Sequence, residues 1–99
     1  MRLMIAPIPS EANFWSNLLG SPLVLDLGSP YVILGTLEQA DERFVTLTDA
    51  DVHDLRDSKT TRELYVLEAR KHGIRCNRNR VSIRIEEIVS LSRLEDVVE

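Results

Sequence analysis

The chain of 99 residues has one cysteine, four glycines, four prolines and 5% aromatic residues, and each scarcity removes a class of protein. A lone Cys76 permits neither an intramolecular disulfide nor a cysteine-based zinc site within one chain, and fits a reducing compartment, so a cytoplasmic location is expected. So little glycine and proline excludes collagen-like and low-complexity chains. No apolar run approaches the roughly 18 residues of a membrane span. The run Leu3 to Ala6 stops at Pro7, too early for the core of a signal peptide, so no membrane partner is expected. Gly-rich phosphate loops, nucleophile elbows and zinc-ligand spacings are also missing, so the sequence predicts neither enzymatic activity nor a cofactor. What is present, 43% hydrophobic and 28% charged residues, is the composition of one globular domain spanning 1–99.

A formal net charge of -4 argues against nucleic-acid binding through bulk positive charge. The distribution argues differently. Arg70, Lys71, Arg75, Arg78, Arg80 and Arg84 fall in one segment with His72 and no acidic residue. Guanidinium forks suit phosphate oxygens, and counterion release would supply the affinity. Alternatively, these arginines pair with Glu86, Glu87, Glu95 or Asp96 of neighbouring copies.

The hydrophobic pattern predicts an N-terminal arm and helix over 1–20. Ser10 serves as N-cap, Gly20 lies just past the end, and Phe14, Trp15, Leu18 and Leu19 share a core-facing surface. Alternation then predicts three strands within 23–48: Leu23 to Leu27, Tyr31 to Glu38 and Phe44 to Thr48. Gly35, inside the second, marks a bend or a close backbone approach. A helix over 60–72 follows, with Thr60 and Glu63 at capping-box spacing and Gly73 as its stop. Two further strands lie within 80–94, with Val81, Ile83 and Ile85 inward and Arg80, Ser82 and Arg84 outward.

Two segments of this layout resemble the motifs of the Sm-like family, in a divergent form nearer to bacterial or phage members. Gly35, Leu37 and Asp41 fall into the first motif, Gly-x-Leu followed by Asp and a hydrophobic strand. Ile83, Arg84 and Ile88 match the second, Ile-Arg-Gly-x-x-Ile. The resemblance implies a mainly β fold: a small, strongly bent five-stranded antiparallel barrel with an N-terminal helix and, here, a helix inserted between the third and fourth strands. It also implies a homo-oligomeric ring closed by the fourth and fifth strands, with RNA as a partner bound at low sequence preference. RNA or phosphate contact would fall to Arg75, Arg78, Arg80 and Arg84, together with Asp41, Arg43 and Phe44 at the tip between strands two and three. Arg43 or Phe44 would stack on a base; the plainer expectation for Phe44 is a place in the core. The motif asparagine after the aspartate is replaced by Phe44 and Val45, and the second-motif glycine by Ile85. These departures favour an alternative, a protein-interaction or structural ring without RNA.

Three smaller constellations remain. Asp49, Asp51 and His53 alternate, so an extended chain would project all three to one side as a metal-ligand set or as a solvated charged face. Cys76 and His72 straddle Gly73 and lack a third member, so Cys76 is expected to be a small buried hydrophobe. Trp15 and Phe14 are expected in the core, with partner binding as the other reading.

Overall fold

The computed structural model describes residues 11–57 and 59–99, with side-chain detail from Phe14 onward. Helix α1 (Glu11–Ser16) leads into β1 (Pro22–Leu27), β2 (Tyr31–Ala40) and β3 (Phe44–Asp54). After a 3-10 turn at Leu55–Asp57 come helix α2 (Arg62–His72), β4 (Arg78–Arg84), a second 3-10 turn at Ile85–Glu87, β5 (Ile88–Arg93) and a third turn at Leu94–Asp96. The strands form one antiparallel five-stranded sheet in the order β4-β3-β2-β1-β5, so the last two strands in sequence are its two edges. This is the bent, mainly β architecture that the resemblance implies.

The bend is concentrated where β2 crosses β3. A Cβ on Gly35 would lie 2.9 Å from Leu47 Cβ and 3.0 Å from Ala50 Cβ, so the two strands approach more closely than any side chain permits. Next to this point the β2–β3 register shifts between Leu34 and Thr36, where Asp49 takes a left-handed φ of 49°. The extra residue reverses the parity of β3. Before it, Val45 and Leu47 point into the core formed with Trp15, Leu23, Leu25 and Ile83; after it, Ala50 and Val52 do. The reversal lets β3 run on to Asp54, beyond the end expected at Thr48. It also corrects the expectation that Asp49, Asp51 and His53 share a face. Asp49 is exposed at the bulge, while Asp51 and His53 pair with Leu34 and Val32 and face α2.

The opposite face of the sheet is covered by α2 and the C-terminal turn, which bury Val24, Val32, Leu34, Val66, Ala69 and Leu94 as a second core. The N-cap of α2 is Thr61, not Thr60: its hydroxyl accepts from the Leu64 amide at 3.1 Å. Arg62 bonds Asp26 at 2.8 Å, and Ser90 reaches the other oxygen of that carboxylate at 2.9 Å, which ties the helix to β1 and β5. Helix α1 ends at Ser16, short of the expected length. Trp15 and Leu18 are buried but Phe14 and Leu19 are about half exposed, so the four do not form one buried face. The expected N-cap at Ser10 and the N-terminal arm lie outside the described residues. Among the described residues no helix is long and apolar enough to cross a membrane.

Candidate nucleic-acid interface

Both motif segments end at the same rim of the barrel. Asp41, Glu42 and Arg43 form the tight connection between β2 and β3. The Asp41 carboxylate accepts from the main-chain amides of Arg43 and Phe44, both at 2.8 Å, and the Asp41 amide donates to the Phe44 carbonyl at 2.9 Å. The two amide bonds, Phe44's first, hold the Asp41 carboxyl below the usual carboxylate range. Asp41 therefore shapes the loop through Oδ1, to which both amides bond.

The β4–β5 connection meets this loop directly, because the Ile85 amide donates to the Arg43 carbonyl at 2.8 Å. Phe44 stands opposite Arg84 in the β3–β4 register, so the two side chains are cross-strand neighbours. Phe44 is 40% exposed, against its expectation as a core residue. Together Glu42, Arg43, Phe44, Arg84, Ile85 and Glu86 line a recess of about 500 Å³. The recess thus combines an aromatic face, two guanidinium groups and two carboxylates. Arg84 is held by Glu86 in an exposed ion pair. An exposed pair of this kind is worth about 1 kcal/mol or less, so a phosphate can displace the carboxylate.

The remaining arginines of the basic block are not brought to this recess. Arg80, opposite Thr48, pairs with Glu38 at 2.9 Å. Arg78 sits at the far end of β4, opposite Ala50, and Arg75 lines a cavity beside α2. Strand geometry explains the dispersal: Arg78 to Arg84 spans seven strand residues, about 20 Å of extended chain. Charge counting along the sequence carries no information about that separation. Glu42 and Glu86 are not among the site residues expected from the sequence; the signal for Glu86 is its position two residues after the motif arginine.

Ile85, where the second motif has glycine, sits at the start of a 3-10 turn preceded by Arg84 at φ -67° and packs half-buried against the core. Asp49 is the one non-glycine residue with positive φ among the described residues, so this turn does not require glycine. Cys76 is exposed, contrary to its expectation as a buried hydrophobe. Among the described residues no three His, Cys, Asp or Glu side chains converge as a metal site, Asp49, Asp51 and His53 included.

No protein-family model and no curated protein matches the chain. Its structure is similar to that of a Pyrococcus abyssii Sm protein solved in complex with a uridine heptamer, with a TM-score of 0.55 and 15% sequence identity over 84% of this chain and 96% of that one. The chain therefore has the Sm-like fold.

Proposed function

We propose that the protein is a ring-forming RNA-binding or RNA-scaffolding protein of weak sequence preference, which acts by binding and not by catalysis. The observation that carries this reading is the union of Arg43, Phe44 and Arg84 in one rim recess, fastened by the Ile85–Arg43 main-chain bond. An exposed ring beside two guanidinium groups suits a stacked base flanked by phosphates. The structural likeness to a uridine-bound Sm protein supports the same reading. Phe44 and Val45, in place of the motif asparagine, cannot make its side-chain hydrogen bond to a base edge, so stacking and charge would set the affinity. The two sheet edges, β4 and β5, lack proline and carry β-branched or aliphatic residues, and pairing them between copies would satisfy both. Each added copy would repeat the recess, and binding would gain from avidity.

Fluorescence anisotropy with labelled oligo(U), oligo(A) and single-stranded DNA at 50 mM salt tests the reading. Binding that falls steeply with salt and is lost in Arg43→Ala and Arg84→Ala supports it; no binding, or binding indifferent to both substitutions, overturns it. A second reading is a protein-interaction ring. The ion pairs Arg80–Glu38 and Arg84–Glu86 favour it, since both arginines already have carboxylate partners. It predicts oligomers that carry no nuclease-sensitive material.

A further inference from the structure

A second cavity, of about 760 Å³, lies between α2 and the sheet. Small-molecule sites typically measure about 300–1,000 Å³. It shares no residue with the rim recess. Its chemistry changes from the inside outward. Leu34 and Ala69 give an apolar floor. Above them stand two polar residues that the bulge at Asp49 has turned toward the helix. Asp51 is buried and accepts one hydrogen bond, from the Tyr65 hydroxyl through Oδ2, leaving Oδ1 as an acceptor among the described residues. His53 stacks on Tyr65 at 4.0 Å with a 10° interplanar angle, and its buried Nε2 has no hydrogen-bond partner among the described residues. Placing such groups on an otherwise apolar sheet face is costly unless a partner satisfies them. At the mouth, His72 is held by Glu68 at 3.4 Å, whereas Arg75 has no carboxylate within ion-pair distance among the described residues. Gly73 contributes no side chain there: a Cβ on it would meet nothing within 4 Å.

The complement of this arrangement is a planar heterocycle with N–H donors for Asp51, apolar faces for Leu34 and Ala69, and an anionic group for Arg75. Guanine offers N–H donors to the free Oδ1 of Asp51, and a 5′-phosphate supplies the anion. We propose that this cavity binds guanosine 5′-monophosphate, either as the free nucleotide or as the 5′-terminal residue of an RNA strand.

The test is a titration of the ¹⁵N-labelled full chain followed by amide NMR shifts, with GMP, UMP, inorganic phosphate and the dinucleotide pGpA. The expected result is saturable shifts at residues 51, 53, 65 and 72–75 with GMP or pGpA. UMP and phosphate should bind at least about tenfold more weakly, and Asp51→Asn and Arg75→Ala should each lower the affinity by about tenfold. Asp51→Asn keeps an acceptor for Tyr65, and Arg75 is exposed, so the second variant carries the test if the first fails to fold. Binding of GMP with pGpA excluded identifies the free nucleotide; binding of pGpA well above GMP identifies the strand terminus. No shifts at millimolar GMP and pGpA, shifts reproduced by phosphate alone, or affinity unchanged in Arg75→Ala would overturn the proposal. Arg43→Ala and Arg84→Ala should leave the shifts at residues 51, 53, 65 and 72–75 unchanged, so failure at this cavity is distinguishable from failure of the rim reading.

Discussion

The side-chain amide of Asn77 bonds the main chain of Val52 in both directions, donating to its carbonyl at 3.0 Å and accepting from its amide at 2.9 Å. It does for one residue what a strand neighbour would do, just ahead of β4. Replacing it with alanine leaves both partners to water and should cost about 1–2 kcal/mol, read as a shift of the urea midpoint at unchanged slope. Gly35→Ala should cost more, about 3 kcal/mol, because the new methyl meets Leu47 and Ala50 at 2.9 and 3.0 Å. Adding Ala50→Gly to that variant removes one of the two clashes and should restore part of the loss. Full additivity of the two substitutions would show that the contact is not the cause. Asp54 provides a pH signature. Hydrogen bonds from the Arg56 side chain, then its amide, lower the carboxyl from an ordinary 3.8 to about 2. The folded value lies below the unfolded one, so this contribution is complete above about pH 4 and is lost as pH falls toward 2. Denaturation midpoints measured across pH 2–5 should decline toward acid, and Asp54→Asn should flatten that decline.

Among the elements, those set by clean alternation were legible in the sequence. Arg80, Ser82 and Arg84 alternate with Val81, Ile83 and Ile85, and β4 follows that pattern with Ile83 inside. Gly35 announced the close approach, and Gly73 the end of α2. The second half of β3 was not legible, because a bulge reverses the parity and makes 49–54 look like the start of a polar loop. The rim recess was half legible. Asp41, Arg43, Phe44 and Arg84 could be named from two short motifs. That Phe44 faces Arg84 depends on a strand register, and that the basic block scatters depends on distances, which composition does not encode. The cavity beneath α2 was invisible for the same reason: Tyr65 joins Asp51 and His53 only once the helix is laid on the sheet. The edge strands carry their own prediction. Val89, 72% exposed on β5, is an apolar residue on an unpaired edge. Val89→Lys should leave the domain folded by circular dichroism while shifting the proposed oligomer toward monomer in sedimentation velocity.

For the whole molecule, the acidic total is a distribution over surfaces. The rim holds Arg43 and Arg84 among Glu42 and Glu86, so its positive and negative groups balance. On the proposed reading, function would depend on repetition, and repetition on pairing of the β4 and β5 edges between copies. Light scattering on nuclease-treated protein, chromatographed at micromolar concentration, tests this most directly. The account predicts one species at an integer multiple of the 11.3 kDa chain mass, retained in high salt because main-chain strand pairing, and not surface charge, holds it together. A folded monomer of 11.3 kDa at that concentration would contradict it.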